Sequence, residues 1–407
     1  MFKKIFSLVL VVSMCLAACI GLTACGGNDG DFKIGFICLH DETSTYDKNF
    51  IDAAENARVA LGLDKSQVIF KKGIPETNAC YEAAVDLVGM GCDVIFANSF
   101  GHESFMIKAA KAFPEVEFCH ATGTMAHTEN LPNFHNAFAS IYEGRYLAGV
   151  AAGMKLNEMI AEGKITAEQA KIGYVGAFTY AEVISGYTSF FLGARSICPS
   201  ATMEVQFTGS WYNAIFEKSA AQALINNGCV LISQHADSMG APSLCEEKGV
   251  PNVSYNGSTQ NNCPNTYIVS SRIDWQPYYE LIIKAVQNGE KIPTDWTGTI
   301  ATGSVKLTAV NENAAAEGTA AKIEEIKAKL ENGTLNVFDT NTFTVNNGQK
   351  VAADHKADVD TDDKMTPDTV VVENGVFYES KYRSAPYFDL RIDGIKLLNQ
   401  VYDPVEE

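Results

Sequence analysis

The chain has 407 residues, 46% of them hydrophobic and 20% charged, and a net charge of −18 at pH 7. That is the balance of a globular chain long enough for two lobes. So acidic a surface repels nucleic-acid phosphates and anionic headgroups, which argues against a nucleic-acid partner.

Lys3 and Lys4 precede an apolar run from Ile5 to Leu22, followed by Leu22-Thr23-Ala24-Cys25 and a Gly-Gly-Asn-Asp-Gly tether. A positive end, a short apolar stretch and small residues before a cut describe a secretory signal peptide. A Cys directly after Leu-Thr-Ala is moreover the pattern of a bacterial lipoprotein. A transmembrane anchor is the alternative, but the run is near the lower length limit for a span. Leu16-Ala17-Ala18-Cys19 fits the same box; Cys25 is preferred because polar linker follows it. The expectation is a signal peptide over 1–24, a lipid on Cys25, a tether over 25–32, and a protein anchored outside the cell membrane.

The first lobe is expected over 33–140. Lys33–Leu39 reads as a buried strand, and Phe50, Ala53, Ala57 and Leu61 recur at helical spacing up to Gly62. Strands at Gln67–Phe70, Asp93–Ala97 and Glu117–His120 alternate with helices at Asn78–Met90 and Glu103–Phe113. A long helix near Tyr142–Glu162 opens the second lobe, expected over 141–252. There, strands at Lys171–Val175, Thr202–Phe207 and Val230–Ser233 alternate with helices at Ala181–Ser196, Asn213–Asn227 and Ser238–Lys248. Strands at Val253–Tyr255 and Tyr267–Ser271 and a helix at Tyr278–Asn288 are expected to return to the first lobe as a segment near 253–285. Residues 286–407 read as a C-terminal crossover and acidic segment, with a helix at Ala314–Glu331, a strand at Thr334–Phe338 and a final strand at Tyr387–Ile392. The fold class is α/β: two doubly wound lobes with a hinged cleft between them.

Eleven cysteines in an exported chain raise the question of disulfides. Cys38, Cys92, Cys119 and Cys229 lie in or beside apolar strand-like runs, where a thiol acts as a small hydrophobe. No pair has Cys-x-x-Cys spacing and no Cys/His cluster has zinc-site spacing, so mostly free thiols and no metal are expected. Asp358, Asp360 and Asp362 resemble the start of a calcium loop. Position six is Asp363 rather than Gly and position twelve is Thr369 rather than Glu, so a solvated acidic loop is favoured.

Ligands of doubly wound sheets bind beyond the carboxyl ends of the strands. Those ends lead to a polar loop with Tyr46, Asp47, Asn49 and Phe50, and to Asn98-Ser99-Phe100-Gly101-His102 and His120. In the second lobe they lead to Trp211-Tyr212 and Gln234-His235-Ala236-Asp237, and in the crossing region to Asn256, Asp274 and Trp275. Aromatics beside Asn, Asp and His suit a flat, hydrogen-bonding ligand. Phe50 at helical spacing is equally suited to core packing, and Trp211 and Trp275 to capping the lobe cores. Asp237 could cap the next helix, and His102 could serve a similar local purpose. His235 and Asp237 as a metal or catalytic pair lack a third ligand and a nucleophile motif.

Tyr46-Asp47-Lys48-Asn49-Phe50 is similar to the Asp-Lys-Ser-Phe-Asn-type loop of the BMP (basic membrane protein, PnrA-like) family. Glu143-Gly144-Arg145-Tyr146-Leu147-Ala148-Gly149 resembles that family's Glu-Gly-Ser-Tyr-Leu-Ala-Gly helix. Ile172-Gly173-Tyr174-Val175-Gly176 and Gly209-Ser210-Trp211-Tyr212-Asn213 match in kind and order, so the resemblance spans roughly 33–338. It implies a type I periplasmic-binding fold and the solute-binding role of an ABC importer whose characterised members bind purine nucleosides or related purines. It also implies a base sandwiched between Tyr46 or Phe50 and an aromatic near Trp211. His120 falls where several relatives carry Asp, Gln234-His235-Ala236-Asp237 departs from the Gly-rich turn of the nucleoside binders, and Arg272-Ile273-Asp274-Trp275 from their Lys-bearing segment. A free base, or another small flat solute, therefore stands beside a nucleoside as the expected ligand.

The leading expectation is a lipid-anchored binding protein without catalysis or cofactor, delivering a purine-type solute to an ABC permease. A ligand-sensing lipoprotein that signals to a membrane partner is the alternative, and an extracytoplasmic nucleoside hydrolase a more distant one. No nucleophile elbow, dinucleotide fingerprint or P-loop is present.

Overall fold

A computed structural model describes residues 32–359 and 367–402. The expected signal peptide, Cys25 and nearly all of the tether lie outside the described residues, as do Asp360 and Asp362 of the acidic loop.

The first lobe is built on strands β1 (Ile34–Ile37), β2 (Val68–Lys71), β3 (Val94–Ala97), β4 (Glu117–Ala121) and β5 (Phe134–Ala139). β1, β3 and β5 are buried at every position; β1 and β3 are the continuous apolar runs of parallel strands covered on both faces, while β5 also buries His135 and Asn136. Three long helices connect the first four, α1 (Thr45–Ala60), α2 (Asn78–Gly89) and α3 (Glu103–Ala112), and a single helical turn at Ala126–Glu129 leads from β4 to β5. α1 starts where Ser44 caps the Asp47 amide, which fixes the loop that carries Tyr46 and Asp47.

Helix α4 (Ile141–Ala161) then crosses to the second lobe, with strands β6 (Lys171–Gly176), β7 (Thr202–Phe207), β8 (Leu231–His235), β9 (Asn252–Tyr255) and β10 (Tyr267–Ile273). Its helices are α5 (Ala181–Ile197), α6 (Ala214–Asn226) and α7 (Gly240–Lys248). α4 packs on α5 at close range because two glycines allow it. A Cβ on Gly149 would meet the Phe190 carbonyl at 1.9 Å, and one on Gly193 the Tyr146 carbonyl at 2.0 Å.

The chain crosses between lobes twice more. Helix α8 (Gln276–Asn288) and strand β11 (Asp295–Gly298) return to the first lobe, where β11 pairs with β5. Strand β12 (Val305–Leu307) goes back to pair antiparallel with β10. The sheet orders are β11-β5-β4-β3-β1-β2, and β12-β10-β9-β8-β6-β7 with the final strand Ile395–Leu397 on the edge of β7.

This topology corrects the expected return segment. β9 pairs with β8 and β10 with β9, so residues 252–273 complete the second sheet and the return begins only at α8. Thr334–Phe338 forms no strand; Phe338 instead packs its ring on Tyr142 and Phe388. Tyr387–Ile392 contributes only a bridge from Ile392 to Val345, and the closing strand lies further on. The eight cysteines among the described residues are all buried and unbridged, as small hydrophobes. Among the described residues, no helix is long and apolar enough to cross a membrane.

Candidate ligand-binding cleft

The carboxyl ends of both sheets face one narrow slot between the lobes. The first lobe contributes Leu39 and His40 after β1, Tyr46 and Asp47 at the start of α1, Ser99 and Phe100 after β3, and Thr122 after β4. The second contributes Glu182 at the start of α5, Trp211 after β7, His235 and Asp237 at and after the end of β8, and Tyr255 ending β9.

Each aromatic is fixed from behind. The Tyr46 hydroxyl donates to the Asn98 carbonyl at 2.6 Å, and the Trp211 ring is braced edge-on by Phe178 with 5.0 Å between centroids. Tyr255 rests on the buried Arg145, whose guanidinium lies 4.9 Å from the ring. Arg145 also donates to the Tyr174 hydroxyl at 2.8 Å, the Ser233 hydroxyl at 3.2 Å and the Gln234 carbonyl at 3.3 Å. The residue that replaces Ser in the family-like helix thus supports the floor of the slot.

The two aspartates differ in charge. Asp47 Oδ1 accepts from the His40 amide at 3.1 Å and from Asn98 Nδ2 at 2.7 Å. Burial works to raise its pKa, but the bonds from His40 and Asn98 outweigh it and hold the carboxyl below its ordinary range. Asp237 has one side-chain donor, Asn256 Nδ2 at 3.0 Å. Burial, with Glu217 and Asp47 nearby, pushes it well above the ordinary range. The first-lobe wall therefore favours a carboxylate acceptor, and burial on the second favours the protonated acid, the form whose O–H donates. Burial also lowers His235, so its imidazole is neutral beside Glu182, 3.3 Å from Nε2.

The lobes touch around the slot. Thr45 donates its amide (3.4 Å) and hydroxyl (3.2 Å) to the Asp237 carbonyl, and Asn49 Nδ2 donates to the Asn256 carbonyl at 3.3 Å. The His40 and Tyr212 rings meet at 5.2 Å, as do those of Phe100 and Tyr180. Between these contacts about 30 Å³ remains, room for a water molecule or two. A flat ring enters only when the lobes part by about its thickness, ~3.5 Å.

Of the residues singled out in the sequence, Tyr46, Asp47, Trp211, His235 and Asp237 meet in the slot. Asn49 and Asn256 lie on the seam beside it, and Asn256 adopts φ +65°, a left-handed turn that aims its amide at Asp237. The others lie elsewhere. Phe50 and Trp275 stack on each other inside the first lobe. His102 and His120 are fully buried, with Nε2 against the carbonyls of Ile74 (2.9 Å) and Ser99 (2.7 Å). Asp274 sits at the crossing, 2.7 Å from Lys306 Nζ and capping the Gln276 amide. The residues singled out in the sequence do not include His40, Phe100, Thr122, Glu182 or Tyr255; the first three lie in strand-end loops, Glu182 stands at the start of α5 and Tyr255 ends β9. No group of three His, Cys, Asp or Glu residues among those described is arranged to hold a metal.

Two doubly wound sheets joined by three crossings, with an aromatic and carboxylate slot at their facing strand ends, define a two-lobed solute-binding protein of the type I periplasmic-binding fold. An ABC transporter solute-binding protein from Conexibacter woesei has this fold, with a TM-score of 0.61 at 19% identity over 75% of this chain and 98% of that one. The chain belongs to the Bmp family, the PnrA-like ABC transporter substrate-binding proteins, whose model matches residues 36–339. It is 30% identical to a purine-binding protein of Brucella abortus over 336 residues, 82% of this chain and 87% of that protein. It is also 34% identical to a putative ABC transporter glucose-binding protein of Haloferax volcanii over 211 residues, about half of each chain.

Proposed function

We propose that the protein is an extracytoplasmic lipoprotein that captures a purine base or nucleoside by lobe closure and delivers it to an ABC permease. The observation that carries this reading is the pairing of Tyr46 with Trp211 on opposite walls of one slot, beside Asp47, Asp237 and Glu182. Two aromatic side chains suit the faces of a flat heterocycle. An ionised Asp47 accepts from a ring N–H or amino group, while a protonated Asp237 donates to a ring nitrogen. The purine-binding relative supports the same class of solute.

Closure and recognition are one event in this reading. The Thr45–Asp237 and Asn49–Asn256 contacts must open to admit the ring, and the three crossings at Ala139–Ile141, Ile273–Gln276 and Gly298–Val305 act as the hinge. In this reading the bound solute is delivered unchanged.

Calorimetric titration of the domain from residue 32 onward with adenine, guanine, hypoxanthine, their nucleosides and uridine tests this. Saturable binding of purines with no product formed is expected. A folded protein that binds none of the panel overturns the purine assignment. Lipidation is tested by the mass of the membrane-extracted protein and its loss in Cys25→Ala.

A further inference from the structure

The chain continues beyond residue 339, where the family match ends, and this continuation reaches the mouth of the cleft. It is tied to the second lobe by the final strand on β7, by Val401, which exchanges hydrogen bonds with Thr179, and by the Tyr180 hydroxyl on the Tyr402 carbonyl at 2.7 Å. It is tied to the first lobe by Ser384, whose amide and hydroxyl both donate to Asp295 Oδ1 at 2.8 Å. Between the anchors, Arg383 is buried and folds the segment onto itself, donating to the carbonyls of Val359, Ala385 and Pro386.

The segment thereby walls a second chamber of about 310 Å³, within the ordinary range of small-molecule sites. Phe100, Thr122 and Glu182 line both this chamber and the slot, so the two are continuous. Its other walls include Thr124 of the first lobe, Tyr180 and Ala181 of the second, and Arg383, Pro386 and Tyr402 of the continuation.

We infer that the cleft is a two-part site: the slot takes a flat ring, and the outer chamber takes a neutral, hydroxylated substituent joined to it, the sugar of a nucleoside. This rests on the purine reading above and decides between its two ligands. Threonine hydroxyls and the Glu182 carboxylate at the junction offer acceptors to sugar hydroxyls. Phosphate is disfavoured, because Glu182 and Asp358 are acidic and three N–H groups of Arg383 are spent on backbone carbonyls. The continuation, outside the family match, supplies the wall that makes the chamber.

The test titrates the same domain, continuation included, with a matched purine base, its nucleoside and the nucleoside 5′-monophosphate, in wild type and in Ala181→Phe and Tyr402→Ala. Ala181 lines the outer chamber and not the slot, so the phenylalanine fills only that chamber. The nucleoside should bind at least tenfold more tightly than the base and the monophosphate, and Ala181→Phe should erase that advantage while base affinity stays unchanged. Tyr402→Ala, at an exposed terminal position, should weaken nucleoside binding alone. Unchanged base affinity doubles as proof that the variants are folded. Base binding equal to nucleoside binding, or a nucleoside preference that survives Ala181→Phe, overturns the two-part site and leaves the purine reading standing. No binding of base or nucleoside by the wild type overturns the purine reading, and this inference with it.

Discussion

The rings of Phe50 and Trp275 lie face to face in the first lobe, 4.6 Å between centroids and 22° between planes. Both are almost completely shielded from solvent, and Phe96 and Tyr279 close around them. The pair joins α1, which carries Tyr46 and Asp47, to the start of α8, where the chain re-enters the first lobe. The slot wall and the hinge thus share one packed aromatic cluster.

Trp275→Ala should therefore act on stability first. Removing a buried indole costs about 3–5 kcal/mol, read as a fall in the denaturation midpoint. A variant as stable as wild type but without ligand binding would instead put Trp275 in the site.

Trp211 is half-buried, braced by Phe178, and faces the slot. Trp211→Ala should weaken ligand binding by about 1 kcal/mol, roughly five-fold, with little change in melting temperature. Unchanged affinity by calorimetry in the folded variant would remove Trp211 from the site.

Two buried glutamates, Glu379 and Glu217, and the half-buried Glu143 should give stability an uncommon pH slope. Burial pushes Glu379 up to about 8, with Glu182 and Glu143 adding to the effect, and Glu143 and Glu217 up to about 7. A carboxyl raised above its unfolded value binds more protons when folded, so its contribution is complete below about 4.5 and is lost as pH rises through the folded value. Glu379→Gln stays neutral at all pH. Its melting temperature should gain on that of wild type as pH rises from roughly 5 to 9. A constant gap across that range would show that Glu379 does not titrate there.

The thiols should be inert in the native state. All eight described cysteines are buried, and burial pushes those of Cys80, Cys119 and Cys229 up to about 12. A thiol-reactive dye should label these eight only after denaturant is added. Rapid native labelling, mapped by mass spectrometry to any of them, would contradict the packing.

The five residues that meet in the slot were legible because each sits at a strand end or in the loop that opens α1. His102 and His120 share that placement, yet they turn inward to hold the Ile74 and Ser99 carbonyls. Glu182 and Tyr255 carried only the weak signal of their position, and it takes the pairing of β8 with β9 to bring Tyr255 beside His235, 4.6 Å between rings.

The sequence by itself determined the two parallel sheets, the cleft at their facing ends and the family-like helix α4. The strands and helices are written in short-range periodicity, buried runs for strands and 3.6-residue spacing for helices, and the family-like character of α4 in its motif. Only the tertiary structure decided that Phe50 and Trp275 face one another, that β9 and β10 belong to the second sheet, and that the continuation walls an outer chamber. Those outcomes depend on partners tens to hundreds of residues away. An aromatic on a helix face, or a short apolar strand, packs equally well on either side until its neighbour is in place.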